Sequence, residues 1–260
     1  MSSPSLTVII PALNEETAIG DTITNCLKAL DDFKIQGEII CINDGSTDRT
    51  PQVMEEYSKK DSRVSFYSNA KPGGFGGAFW QGVDHAKMDA CVVMPGDNEN
   101  DPWEIFRYFN LLEHVDLVIP FVFNKEVRSG FRRFLSFTYR LIINASFRTN
   151  LNYTNGTILY RVAALRTLEH RNTNFFFQTD ILIRLIKNGY LFAEVPYRLE
   201  QREQGVTKAV SFPSFVRVAK GYMRLLKDQY QGTDIRPYPD ESLTAQRNPK
   251  KESTPKTGNS

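Results

Sequence analysis

The sequence predicts an α/β domain built on a mostly parallel sheet with helices on both faces. Three observations carry this. Short, β-branched apolar runs recur along the chain, bounded by Pro, Gly or polar residues. Stretches with apolar residues three and four apart lie between them, and polar or acidic motifs follow several runs directly. In such sheets the loops at the carboxyl ends of the strands form the binding site. At 260 residues the chain is long enough to enclose a substantial core, and its 41% hydrophobic content is that of a globular protein.

Leu6-Thr7-Val8-Ile9-Ile10 reads as a buried first strand ending at Pro11, and Ala12-Leu13-Asn14-Glu15-Glu16 leads into a helix with apolar positions Ile19, Ile23, Leu27 and Leu30. The second strand, Glu38-Ile39-Ile40-Cys41-Ile42, runs into Asn43-Asp44-Gly45-Ser46-Thr47-Asp48; a helix carrying Val53, Met54 and Tyr57 and a third strand, Val64-Ser65-Phe66-Tyr67, follow. Lys71-Pro72-Gly73-Gly74-Phe75-Gly76-Gly77 opens the next helix. Its glycines would let backbone approach a ligand and a helix N-terminus meet an anion, or they form a turn without a ligand. No Gly-Lys-Ser/Thr closes this segment, so it is not a P-loop.

The apolar run 90–94 is a fourth strand, and Pro95-Gly96 ends it. Asp97, Glu99 and Asp101 then crowd within five positions. Such carboxylates repel one another unless a cation sits among them, and oxygen-only ligands suit Mg²⁺ or Mn²⁺. The other reading is an acidic loop in which Asp101 caps the helix begun by Pro102-Trp103-Glu104. Leu117-Val118-Ile119-Pro120 is a fifth strand. The basic, aromatic segment 125–148 with Arg128, Arg132, Arg133, Arg140 and Arg148 comes next: arginines able to hold a pyrophosphate, or a solvated helix face. After the polar turn 152–157 come the strand Ile158-Leu159-Tyr160, a helix through Ile181, Leu182, Leu185 and Ile186 ended by Asn188-Gly189, and the strand 192–197. Asp180, in that helix's first turn, is a base or a favourable charge at a helix N-terminus. An amphipathic helix is expected over about 214–230, either packed on the domain or lying on a membrane surface. Residues 1–230 are expected to form one domain, and 231–260, rich in Pro, Lys and Ser, a disordered tail.

Composition narrows the function. A net charge of +2 gives no global pull toward nucleic acid. No run approaches the roughly 20 apolar residues that span a bilayer, and no signal peptide precedes Leu6. Cys26, Cys41 and Cys91 are widely spaced and fit core packing in a reducing cytosolic compartment, and the three scattered histidines indicate neither a zinc site nor a triad. Any membrane contact is expected to be peripheral, on the cytoplasmic face, or made through a partner.

Taken in this order, the motifs resemble those of the family 2 glycosyltransferases with the Rossmann-like GT-A fold, and in particular the dolichol- or polyprenyl-phosphate mannosyltransferase-like branch. The likeness runs over about residues 6–226. Pro11, Leu13, Asn14 and Glu15 match the family's nucleotide loop, and Asp44 stands at the second Asp of Asp-Asp-Gly-Ser. Lys71 with Gly74-Phe75-Gly76 is similar to a Gly-Leu-Gly segment, Phe177-Gln178-Thr179-Asp180 to Phe-Gln-x-Glu, and Arg202-x-x-Gly205-x-Thr207-Lys208 to an acceptor loop. The chain departs from the family where Pro95 replaces the first Asp of Asp-x-Asp, Asn43 the first Asp of Asp-Asp-Gly-Ser, Tyr153 an Asp, and Val122 an Arg.

The resemblance implies an inverting transfer of a sugar from a nucleotide-sugar, GDP- or UDP-linked, to a polyprenyl phosphate. Mg²⁺ or Mn²⁺ at Asp97 and Glu99 would assist, Arg128, Arg132 and Arg133 would sit at the diphosphate, and Gln178, Arg202, Gly205, Thr207 and Lys208 at the acceptor. A phosphate acceptor needs no strong base; for a hydroxyl acceptor Asp180 is the expected one. A soluble glycan or protein acceptor, and a nonenzymatic nucleotide-sugar scaffold with a degenerate metal site, are the competing readings.

Overall fold

The computed structural model describes residues 4–124, 130–198, 212–231, 238–239 and 242–247. All seven expected strands are present: β1 (Leu6–Ala12), β2 (Gly37–Asn43), β3 (Val64–Ser68), β4 (Ala90–Val93), β5 (Leu117–Val122), β6 (Leu159–Arg161) and β7 (Phe192–Tyr197). They form one sheet in the order β3-β2-β1-β4-β6-β5-β7. Six strands run the same way; β6 alone is antiparallel to both its neighbours, β4 and β5. The sheet is therefore mostly parallel, and the reversal of β6 brings the residues before it to the rim where β1, β2, β4 and β5 end.

Both faces of the central strands are buried, which is why these strands read as unbroken apolar runs rather than alternating ones. Alternation survives in where the side chains go. Val8, Ile10, Ile39, Cys41 and Val92 enter one core cluster, while Ile9, Ile40, Ile42, Cys91 and Val93 enter the other. The first cluster is roofed by α1 (Ile19–Asp32), α2 (Thr50–Lys60), α4 (Pro102–Phe106) and the 3₁₀ turn Phe109–Glu113. The second is covered by α3 (Phe75–His85), α5 (Gly130–Phe147), α6 (Val162–Arg166), α7 (Phe177–Lys187) and α8 (Phe212–Gln231). Cys26, Cys41 and Cys91 are free and buried, and burial pushes the Cys41 thiol up to about 12. They are core residues, as their apolar settings suggest.

The expected ends are met at two helices. The Asp101 carboxylate accepts the Trp103 N–H at 2.8 Å and caps α4, with Pro102 in the first turn. Helix α7 stops at Gly189, whose φ of +86° is open to glycine without strain, and the N–H of Tyr190 returns to the carbonyl of Leu185.

The expectation of structureless chain beyond residue 230 is corrected for the described part of it. Leu243–Arg247 forms a short helix, α9, whose first turn is held by the buried carboxylate of Asp116. The N–H groups of Leu243 and Thr244 donate to it at 3.1 Å each, and the Thr244 hydroxyl donates as well. Tyr238 packs edge-on against Tyr190 with ring centroids 5.1 Å apart. Polar composition hid this docking because the acceptor lies 127 residues away along the chain. Asp116→Ala is expected to cost roughly 1–3 kcal/mol for each N–H left without an acceptor, read as a lowered midpoint in urea unfolding with an unchanged slope.

Candidate active site

Parallel β1, β2 and β4 deliver three loops to one rim, and the hydrogen bonds among them fix their mutual arrangement. After β1, Asn14 adopts a left-handed conformation (φ 57°), its N–H donating to the Ser46 hydroxyl at 3.0 Å and its side-chain oxygen accepting the Thr47 N–H at 2.8 Å. The N–H of Glu15 donates to the Thr50 hydroxyl at 2.8 Å, and that of Glu16 to Asp48. The nucleotide loop of the sequence reading is thus stitched, through Asn14, Glu15 and Glu16, to the loop after β2 and the start of the helix that follows it. Leu13 is exposed at this rim, whereas Pro11 lies buried in β1 and its carbonyl accepts the N–H of Gly96 at 3.0 Å. Pro11 joins the first and third loops rather than presenting a surface.

Asp44 is buried, and its two oxygens accept the N–H groups of Gly73 (2.7 Å) and Gly74 (2.9 Å). Gly45, at φ +81°, packs against Pro72 and Lys71 so tightly that a Cβ would fall 2.9 Å from the Pro72 nitrogen. The carboxylate anchors the Gly-rich segment, and only its remaining lone pairs are left for a nucleotide. Asn43, in place of an Asp, accepts the Ser46 N–H at 3.0 Å and donates to the Ser68 hydroxyl at 2.6 Å. The side chain's oxygen is thus engaged with the loop after β2 and its nitrogen with the end of β3.

Of the two readings the sequence left open for the glycines after Lys71, Gly74 and Gly76 serve the chain's own packing. Gly74 has φ +85°, and a Cβ on Gly76 would lie 2.7 Å from the Thr173 carbonyl carbon. The close approach these two permit is to the chain's own backbone before α7. Lys71 is exposed beside them.

Beyond β4 the N–H of Met94 bonds the Ile9 carbonyl, and the Gly96 carbonyl accepts from the Thr22 hydroxyl at 3.2 Å. This seats the loop on the end of β1 and on α1. Asp97 follows, half-buried, with one oxygen accepting the Glu99 N–H at 3.2 Å; Glu99 itself is exposed. Among the described residues no group of three or more His, Cys, Asp or Glu is gathered as a metal cage. The helix-capping reading of this acidic loop holds at Asp101.

On the other side of β6 a cleft of about 860 Å³ opens at the same rim. It lies between the first half of α5, the turn 152–155 and α8; Phe134, Phe137, Phe175 and Val218 give it apolar walls, and Arg133 and Arg140 give it charge. Val122 and Tyr153, two of the departures from the family pattern, also line it. Arg128, Arg202, Gly205, Thr207 and Lys208 lie outside the described residues, as does the side chain of Arg132.

Two expected site residues are corrected. Gln178 is buried and its amide donates to the Gly156 carbonyl at 2.5 Å, so it shapes the turn 152–157 from behind. Thr179 does the same, bonding the Thr154 carbonyl and the Tyr139 hydroxyl. Asp180 is 1% exposed and ion-paired with Arg184 at 3.0 Å, and Arg184 also holds Asp228 of α8 at 2.6 Å. Burial raises the Asp180 pKa against the opposing pull of Arg184. A carboxylate enclosed in this way ties α7 to α8 and does not face an acceptor. In a helix whose first nine residues are all buried, the polar ones are internal ties, a fact its apolar spacing alone did not convey. Arg140, one of the arginines the sequence offered for a pyrophosphate, lines the cleft; Asn155, which sequence reasoning did not single out for a site, lines it as well because α5 and the turn before β6 meet there.

The sequence model described as glycosyl transferase family 2 matches residues 7–169, more than half of the chain and all three of the stitched loops. The chain belongs to glycosyl transferase family 2. Among curated proteins, this family 2 chain is 25% identical over 207 residues to the undecaprenyl-phosphate 4-deoxy-4-formamido-L-arabinose transferase of Edwardsiella ictaluri, covering 78% of this chain and 62% of that one. It is 32% identical over 95 residues to the uncharacterized glycosyltransferase YkcC of Bacillus subtilis, covering 36% of this chain and 29% of that protein. The chain thus spans about three-fifths or less of the length of such relatives. In fold it is similar to the crystal structure of Mycobacterium tuberculosis glucosyl-3-phosphoglycerate synthase, with a TM-score of 0.65 at 18% identity over 87% of this chain and 82% of that one. A complex of the same synthase with Mn²⁺, UDP-glucose and phosphoglyceric acid gives 0.66 at 18% identity, over 87% and 81%. These likenesses identify the GT-A fold.

Proposed function

We propose that this family 2 chain transfers a sugar, with inversion, from a nucleotide-sugar to a polyprenyl phosphate. The observation that carries the reading is the cleft: apolar walls suited to a prenyl chain, with Arg133 and Arg140 among its lining residues, at the same rim as the Asp97 loop. The named relative that acts on undecaprenyl phosphate supports the acceptor class, and the neighbour's UDP-glucose complex supports a UDP-linked donor.

The stitched loops after β1 and β2 would receive the nucleoside. Asp97 and Glu99 fit a divalent ion of the Mg²⁺ or Mn²⁺ kind, because such ions bind through one or two carboxylates and complete their shell with water and substrate phosphates. When bound, the ion acts as a Lewis acid that offsets charge on the departing diphosphate. An acceptor phosphate oxygen attacks the anomeric carbon as the carbon–oxygen bond to the diphosphate breaks, and the nucleoside diphosphate leaves with that electron pair. The attacking oxygen is already ionised, so no protein base takes a proton. With Asp180 enclosed by Arg184, that chemistry is favoured over attack by a hydroxyl. Arginines of the cleft hold the phosphate in line.

The metal is expected to bind together with the donor. Mn²⁺ alone should leave Tm unchanged, and Mn²⁺ with UDP- or GDP-sugar should raise it by more than the sugar nucleotide alone; an equal rise with Mn²⁺ alone would mean a complete protein cage. Incubation with radiolabelled donor and polyprenyl phosphate should yield product that extracts into organic solvent. Label recovered only in aqueous product would replace the lipid acceptor by a soluble one.

A further inference from the structure

The helices α5 and α8 lie side by side on the domain. The Ser146 and Tyr222 hydroxyls are 2.7 Å apart, the Tyr230 hydroxyl donates to the Ser146 carbonyl at 2.9 Å, and the Phe147 and Tyr222 rings meet edge-on at 6.0 Å. Their inward sides are accounted for by Ile143, Phe147 and Leu225 in the core. Their outward sides are not polar. Phe134 is 64% exposed and Leu141 56% on α5, with Phe137 between them, and Met223 is 59% exposed on α8 with Val216 and Tyr230 seven residues to either side. Side chains of this size in water are unfavourable by about 25 cal/mol for each Å² left uncovered, and a contiguous exposed apolar patch marks an interaction surface.

Charge says what covers it. The chain as a whole is nearly balanced, with 32 Lys and Arg against 30 Asp and Glu. Yet no Asp or Glu occurs anywhere in residues 130–168 or 212–227, the stretches that hold α5, the turn beside it and nearly all of α8. The one acid on α8, Asp228, is paired with Arg184. Arg133, Arg148, Lys220, Arg224 and Lys227 are exposed, and the Arg140 guanidinium lies 5.6 Å over the Phe137 ring. A second copy docking on the same patch would oppose cation to cation, so self-association is disfavoured. An anionic, apolar-backed partner is what matches.

We infer that the outward side of α5 and α8 docks on an anionic lipid bilayer, its apolar side chains sunk to the headgroup–acyl boundary and its cations at the level of the lipid phosphates. No helix among the described residues is long and apolar enough to cross a membrane, so the contact lies in the interface plane. The cleft is lined from α5 and α8 as well, so the same docking presents it to a substrate anchored in the bilayer. The docking does not depend on the acceptor assignment, and the test contains no acceptor.

The 260-residue chain is centrifuged with vesicles of phosphatidylcholine alone or of phosphatidylcholine with about a third phosphatidylglycerol, both free of polyprenyl phosphate. Binding is expected to the anionic vesicles and to be weaker by tenfold or more on neutral ones, weakening further as salt rises. Lys220→Ala and Lys227→Ala are each expected to reduce binding about fivefold, and Leu141→Ser with Met223→Ser to reduce it by at least as much; all four side chains are exposed, so the melting temperature serves as the folding control. No binding of the unaltered chain to anionic vesicles would overturn the inference. So would binding indifferent to these substitutions, or a dimer in sedimentation velocity that Leu141→Ser dissociates. If vesicles bind but no lipid product forms, docking stands and the proposed transfer falls.

Discussion

Asp97→Ala is expected to lower kcat by about 10²-fold or more, with little change in melting temperature. The side chain is half-buried and accepts one local hydrogen bond, from the Glu99 N–H, so removing it leaves no buried group without a partner. Changes of this kind stay within about 0.5 kcal/mol of the parent stability. The loss should appear in kcat and kcat/KM together, since a charge that neutralises the departing diphosphate acts mainly in the transition state. The rise in Tm produced by Mn²⁺ with a nucleotide-sugar should shrink in the same variant. Turnover equal to that of the parent chain would remove Asp97 from the chemistry and with it the metal assignment.

Arg184→Leu is expected to have the largest effect on stability. The guanidinium is buried and holds two carboxylates, Asp180 at 3.0 Å and Asp228 at 2.6 Å, so its removal leaves Asp180 enclosed without a cation. Breaking a buried pair from one side costs about 3–5 kcal/mol. At roughly 2–4 °C per kcal/mol for a domain of this size, the melting temperature should fall by about 6–20 °C. Asp180→Asn separates the structural role from a catalytic one. An internal tie predicts a lower melting temperature with turnover retained in the cold; a general base predicts lost turnover at nearly unchanged stability. Retained turnover would also support the phosphate acceptor, which needs no proton removed.

The strands were legible because each is a short apolar run between breakers, and burial on both sides gives the central ones no polar face to confuse the pattern. The acidic loop and the Asn43–Asp48 motif were legible as loops because strong polar residues directly after an apolar run end a strand; that Asp44 and Asp48 accept N–H groups there was not legible. Orientation was harder. The residues of β6 look like those of any buried strand, and its antiparallel setting follows from the path of α5 and the turn before it, not from its own side chains. Gln178 and Asp180 match a motif by type, but a motif does not report that the whole first turn of α7 is enclosed. The glycines from Gly73 to Gly76 announced a close backbone approach and left its object unnamed; it is Asp44 for the N–H groups and Thr173 for the missing side chains.

Local sequence thus determined the α/β class, the strands, the capped ends of α4 and α7, and the family, because each depends on residues within one element or on motifs contiguous along the chain. The tertiary structure alone decided which polar groups face the cleft, which are consumed as internal ties, and where the outward sides of α5 and α8 meet. Those outcomes depend on partners far away in sequence, such as Asp116 with Thr244 or Arg184 with Asp228, and a buried charge has the same letter as an exposed one until packing says which it is.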